Sequence, residues 1–306
     1  MLVAFGLLAA SCTGGDGDGS SGGTGSIQEL AQGAEQLSLL SVAGQSQREA
    51  VQTGKSFLAF DLTSGGGKLL GGGSPQVYLA RSRTAKPLGP FPATWSTWKG
   101  YDETGDTSPK TVLPGVYWAQ IDVPEAGLYA IAAVTQDNGK RAVGEAHAYF
   151  KDEVPNAVGS KAISVKTPVA TKPTLIKRIC TRKPPDPMHY ISLDKALANG
   201  KPTVVSFATP LLCESQLCGP VVDEQLLVFR AVGKERANFI HVEEFLPGKD
   251  LQPPRAEAAN QSPGFKAWGL LTEPWVYVID GKGVIRARFE GPVVAQEIAA
   301  ALQPLL

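Results

Sequence analysis

Residues 202–220 read PTVVSFATPLLCESQLCGP. The first seven form an apolar run rich in β-branched residues, the pattern of a short strand buried on both faces. Two cysteines follow with four residues between them, and Gly219 and Pro220 come directly after. Proline is favoured in the first turn of a helix. Beyond it, Val222, Leu226 and Phe229 fall on one face at helical spacing. Strand, cysteine-bearing turn and helix therefore follow one another. A thiolate is the nucleophile of disulfide exchange, and a helix N-terminus stabilises it. A second thiol nearby resolves the mixed disulfide. Cys213 and Cys218 are thus the candidate redox pair.

The chain after this stretch continues the alternation. Residues 238–245 (NFIHVEEF) read as a strand and 262–269 as a short helix. Residues 275–280 (WVYVID) and 284–289 (VIRARF) flank a Gly281-Lys282-Gly283 turn, forming a hairpin. Residues 293–302 close with a helix whose Val294, Ile298 and Leu302 make a stripe. Before the cysteines, residues 191–200 read as a helix closed by Gly200. This order resembles a thioredoxin fold, over residues 191–306. The residues carrying the likeness are Phe207-Ala208-Thr209, the cysteine pair opening a helix, Thr272-Glu273-Pro274 before a strand, and VIDG at 278–281. They look like the TlpA/ResA group of extracytoplasmic thioredoxins.

The resemblance implies a thiol-disulfide oxidoreductase that acts on protein thiols or disulfides and needs no cofactor. It implies that Pro274 follows a cis peptide and faces the cysteines, with Thr272 and Glu273 beside it contacting substrate. The family has two residues between its cysteines, where this chain has four. Overlaying Cys218-Gly219-Pro220 on the family's Cys-Gly-Pro makes Cys218 the attacking thiol and Cys213 the resolver. Treating Cys213 as the first cysteine of a stretched motif gives the opposite order. Two other readings compete: a binding or scaffold protein with a structural Cys213–Cys218 disulfide, and a Sco-like copper chaperone with Cys213, Cys218 and His241 as ligands. His189 reads as a docking residue. Cys180 is left as an odd thiol, either inert, paired with another chain, or a third exchange partner.

Upstream, residues 154–190 hold six prolines and read as an extended connector between domains. Residues 27–153 are expected to form a short helix (27–42, weakened by Gly33) and an antiparallel β-sandwich. Period-two runs at 56–62, 76–80, 115–123, 127–135 and 141–150 supply its strands. Asn138-Gly139 marks a type I′ hairpin. The segment 114–133 looks like the immunoglobulin-like modules of bacterial extracytoplasmic proteins. The glycine-rich stretch 64–73 lacks the Gly-Lys-Ser/Thr ending of a phosphate loop and reads as a hairpin. Trp95, Trp98, Tyr101, Tyr117 and Trp118 read as core aromatics, with a carbohydrate- or partner-binding surface as the alternative, and His147 as an ordinary strand histidine. The fold class is therefore two-domain, a sandwich followed by an α/β thioredoxin-like domain.

The first twelve residues, MLVAFGLLAASC, are apolar up to a Leu-Ala-Ala-Ser-Cys ending that resembles a bacterial lipobox, with Cys12 as the lipidated residue. Residues 13–26 are almost wholly Gly, Ser, Asp and Thr, a flexible tether. Together they place the chain outside the cytoplasm, lipid-anchored to the bacterial cell membrane, where paired cysteines persist as disulfides. No run of about 18 apolar residues is present to span a bilayer. Of the 306 residues 43% are hydrophobic, enough for sizeable cores. Twenty-nine basic residues balance 29 acidic ones, which removes the cationic excess of nucleic-acid binders.

Overall fold

The computed structural model describes residues 25–100, 105, 114–213, 215, 217–246 and 258–306. Cys12, the leader, most of the tether and Tyr101 lie outside the described residues. No helix among the described residues is long and apolar enough to cross a membrane.

The chain begins with a one-turn helix, α1 (Ile27–Ala31), capped by Ser26 and Glu29 in a reciprocal box. Residues 27–42 do not continue it. Gly33 takes a positive φ of 68°, and the chain turns into strand β1 (Glu35–Leu40). Glycine adopts that conformation without steric penalty. Two short strands, β2 (Val51–Gln52) and β4 (Leu69–Leu70), flank the long β3 (Gly54–Thr63). Then follow β5 (Gln76–Ala80), β6 (Leu88–Thr97), β7 (Gly115–Val123), β8 (Gly127–Asp137) and β9 (Lys140–Lys151). Asn138 and Gly139 both have positive φ at the β8–β9 turn, with Asp137 opposite Lys140.

These strands do not form two packed sheets. Their order is β1-β3-β7-β6-β5-β8-β9, and β1 also pairs with β9 in parallel, so seven strands close into a ring. The expected open sandwich is a barrel because β1 supplies the closing strand. Its interior is narrow. Leu58, Phe60, Leu62, Tyr117 and Ile121 fill it beside Ala93, Ala119, Ala133 and Ala142. A Cβ on Gly144 would meet Leu62 Cδ2 at 2.7 Å. Helix α1 packs Ile27 and Ala31 outside the ring, on Tyr78, Ala80, Ala132 and Val143.

The second unit has helix α3 (Leu193–Ala198), β10 (Thr203–Phe207), α4 (Cys218–Val232), β11 (Asn238–Val242), α5 (Pro263–Trp268), β12 (Trp275–Ile279), β13 (Ile285–Glu290) and α6 (Ala295–Leu302). Helix α2 (Pro173–Ile176) precedes them. The sheet order is β11-β10-β12-β13, with β10–β11 parallel and the other two pairings antiparallel. In chain order that is 2-1-3-4, the arrangement expected of a thioredoxin-like unit. All five residues of β10 are buried, as its sequence requires. Val204 points toward Val222, Leu226 and Ile298 on one face, and Val205 and Phe207 toward Phe265, Trp268 and Tyr277 on the other.

Residues 154–190 are not a free connector. Ser160 O accepts from Ile285 N and Lys161 pairs with Val284, so this segment lines the β13 side of the sheet. His241 N donates to Met188 O, which covers β11. Arg182, Asp186, Met188 and His189 are all buried. Frequent proline reports extended backbone, and here that backbone is packed.

Barrel and α/β unit share a seam. The Phe57 and Phe289 rings lie 5.0 Å apart, and Trp98 packs against the α4 face of the sheet. Glu224 on α4 is buried there. Its Oε1 accepts from Lys99 N (2.6 Å) and Gly100 N (2.7 Å), and its Oε2 from Ala295 N (2.8 Å). Gly100 comes so close that a Cβ would lie 2.5 Å from Asp223.

Candidate active site

Cys213 and Cys218 form a disulfide, with Cα atoms 5.9 Å apart. Cys218 is the first residue of α4, where backbone N–H groups have no intrahelical acceptor. One of them is used at once: Cys218 N donates to Cys213 Sγ at 3.3 Å. The Ser215 hydroxyl lies 3.2 Å from the same sulfur. Cys213 is half-buried, whereas Cys218 is sealed in the α4 core. The two sulfurs thus differ: one meets solvent and two polar hydrogens, the other meets Val221, Val222 and their neighbours.

The Glu273–Pro274 peptide is cis. Its Glu273 carboxylate lies within 4.8 Å of both sulfurs. Burial pushes Glu273 up to about 8, helped by Glu244 and Glu243, while hydrogen bonds from Thr209 work against it. A carboxyl group beside the disulfide is therefore neutral at neutral pH and able to donate a proton. Thr272 is exposed, and its hydroxyl accepts from Trp275 Nε1 at 3.2 Å. Leu211 and Leu271 are exposed large apolar side chains, one on the cysteine loop and one next to Thr272.

His241 does not join the cysteine pair. Its Nδ1 lies 2.8 Å from Asp186 Oδ2 and its Nε2 2.9 Å from Ala208 O. Among the described residues the third metal-ligating group beside the two sulfurs is Glu273, so the Cys213, Cys218 and His241 set is not assembled. Instead His241 belongs to a buried cluster that sequence reading did not find, with Cys180, Asp186 and His189. Cys180 Sγ donates to Asp186 Oδ2 at 3.1 Å. Burial, then the charges of Asp186 and Glu243, push its thiol up. Cys180 is also buried, nearly out of contact with solvent. Glu243 is fastened by Thr181 N and Thr181 Oγ1, and the same Oγ1 accepts from Leu211 N on the cysteine loop (3.2 Å). Arg182 pairs with Asp223 on α4 at 2.6 Å. The segment 180–189 thus braces the loop and the helix that carry the disulfide.

His147 is exposed on β9, and the half-buried Trp95 packs against Tyr117 of the barrel core, ring centres 4.8 Å apart and tilted by 58°. A cavity of about 270 Å³ opens at the seam among Phe57, Gln120, Trp275, Arg286 and Glu290, away from both cysteines.

No protein-family model matches the chain, and no curated protein is similar to it. Among solved structures, a thiol-disulfide isomerase from Corynebacterium glutamicum is 21% identical with a TM-score of 0.31, covering 39% of this chain and 89% of its own. A secreted thiol-disulfide isomerase from the same organism is 14% identical (TM-score 0.28), covering 38% and 75%. A thiol:disulfide interchange protein of the thioredoxin family from Chlorobium tepidum is 15% identical (TM-score 0.29), covering 48% and 99%. Scores this low carry no functional weight; the strand order and the place of the disulfide do.

Proposed function

We propose that this protein is an extracytoplasmic thiol-disulfide oxidoreductase, anchored by a lipid at Cys12, whose Cys213–Cys218 disulfide exchanges with protein thiols. The observation that carries this reading is the asymmetry of the pair at the mouth of α4. Cys213 is the sulfur a client can reach, and it receives the Cys218 N–H at 3.3 Å. Cys218 is buried. That supports Cys213 as the attacking thiol and Cys218 as the resolver, the reverse of the order the Cys-Gly-Pro overlay implies.

In the reducing direction the Cys213 thiolate attacks a client disulfide. A new S–S bond forms and the client's other sulfur leaves as thiolate. The Cys218 thiolate then attacks Cys213 Sγ, restoring the internal disulfide and releasing the client's second thiolate. The oxidising direction is the same two steps reversed, and in both the electron pair passes through Cys213. Glu273, neutral and within 4.8 Å of both sulfurs, supplies the proton that a departing thiolate takes up. The Thr272–Glu273 edge and the exposed Leu211 and Leu271 offer an apolar rim for a client chain.

Trapping is the direct test. Cys218→Ala removes the resolver, so mixed disulfides with client proteins should accumulate through Cys213, and Cys213→Ala should trap none. Trapping only with Cys213→Ala would restore the opposite order. Absence of trapped species with either variant, together with a midpoint potential below about −300 mV, would leave a structural bond in a scaffold protein.

A further inference from the structure

Beneath the disulfide loop lie four groups that the redox chemistry does not use. Cys180 Sγ, Asp186, His189 and His241 each offer one ligating atom, and all four atoms fall within 4.8 Å of one another. Each residue is at most 4% exposed. The measured separations are 2.8 Å (His241 Nδ1 to Asp186 Oδ2), 3.1 Å (Cys180 Sγ to Asp186 Oδ2), 3.6 Å (His189 Nε2 to Asp186 Oδ2) and 4.0 Å (Cys180 Sγ to His241 Nδ1). A tetrahedral ion with bonds of about 2.0–2.3 Å sets its ligand atoms about 3.3–3.6 Å apart. These four of the six pairs bracket that value, and the other two also fall within 4.8 Å.

The hydrogen bonds point the same way. His241 Nε2 lies 2.9 Å from Ala208 O, a carbonyl that can only accept. The neutral ring therefore turns an unprotonated Nδ1 toward Asp186 Oδ2, itself an acceptor. Two acceptors at 2.8 Å need a cation or an added proton between them. A metal-bound histidine characteristically donates its other N–H to a carbonyl in this way. Asp186 Oδ1 is held by Met188 N at 2.9 Å, which aims Oδ2 into the cluster. The decisive atom is His189 Nε2. It is buried without a hydrogen-bond partner and faces Asp186 Oδ2 at 3.6 Å. A second proton on His241 would close the Asp186 contact without a metal, but it leaves that nitrogen with this long contact alone.

We infer that Cys180, Asp186, His189 and His241 bind one divalent transition-metal ion, zinc by the character of the donors. One thiolate, two imidazoles and one carboxylate form a closed N/S/O set suited to Zn²⁺. The thiolate and carboxylate charges cancel that of the ion, so the buried site carries no net charge. The thiol is deprotonated by the ion itself. The four ligands come from the 180–189 segment and from β11, so the ion pins that segment to the sheet. Thr181 then holds Leu211 N of the cysteine loop. The site is structural, with no position open for substrate.

The test uses the whole chain with its Cys213–Cys218 disulfide oxidised, stripped with chelator and titrated with Co²⁺. One equivalent should bind with the visible bands of four-coordinate cobalt and a thiolate charge-transfer band, and Zn²⁺ should displace it. Cys180→Ser should abolish the charge-transfer band. His189→Gln should weaken cobalt binding at least about tenfold. That variant gives up the 3.6 Å contact to Asp186 Oδ2 and the ring packing on His241, so the melting temperature of the stripped protein is read beside it and should fall little. The Cys213→Ser/Cys218→Ser double variant should keep the full signal. A stripped protein that takes up no Co²⁺ or Zn²⁺ overturns the inference, as does a cobalt spectrum unchanged by Cys180→Ser. Retention of Cu²⁺ alone overturns the zinc assignment.

Discussion

Glu273 shows how one residue's surroundings set its chemistry. Burial beside Glu244 and Glu243 pushes it from 4.5 to about 8 in the folded protein. A carboxyl group whose folded value is raised favours the native state while protonated. Its penalty is absent below about pH 4.5, grows as the pH rises, and is complete above about 8. Glu273→Gln should therefore match the wild type near pH 4 and melt at a higher temperature at pH 9, with the disulfide oxidised throughout. Parallel melting profiles across that range would mean that Glu273 is already ionised beside the sulfurs. At this scale the sequence showed much of the site. Cys213, Cys218, Glu273 and Pro274 could be found because they sit in short motifs with a known order. The groups around His241 could not. Cys180 and Asp186 lie some 60 positions from it in the chain, and no local pattern reveals which polar side chains are buried together. Nor could burial at the helix start, which decides between the two sulfurs, be read from the letters around it.

Elements with clean periodicity were legible to the residue. Strands β5 and β7 have the bounds their alternation predicts, and α5 starts after the Ser262 cap and ends at Gly269, φ 62°. The misses have specific causes. Strand β6 contains Pro90 and Pro92, which speak against a ladder. The fold accommodates Pro90 at an irregularity, where the pairing slips between Val77 and Leu79, while Pro92 sits in register opposite Gln76. Strand β1 was hidden by leucines at a spacing that fits helix as well as sheet. Gly33 decided between them, since its positive φ ends the helical turn and starts the closing strand. Gly33→Ala should thus lower stability by about 1 kcal/mol, through conformation alone, because no heavy atom lies within 4 Å of the added carbon. The check is a lower denaturant midpoint at unchanged slope. An unchanged midpoint would show that the turn has another solution.

At the level of the whole molecule, the barrel and the α/β unit are joined through the buried side chain of Glu224. Glu224 takes three backbone N–H groups, two from the barrel chain and one from the start of α6. Glu224→Ala leaves all three without that acceptor in a buried seam. The expected loss is about 2–4 kcal/mol, since each orphaned donor keeps its desolvation cost. Calorimetry should show a lower melting temperature, and a variant as stable as the wild type would mean that water takes over the carboxylate's role. The closed ring of seven strands has a further consequence. A ring has no first or last strand, and residues 159–162 and Met188 shield the flanks of the smaller sheet. Neighbouring copies at high concentration therefore find few open rows of N–H and C=O groups to extend. Crowding can proceed without the chains stitching themselves into fibrils.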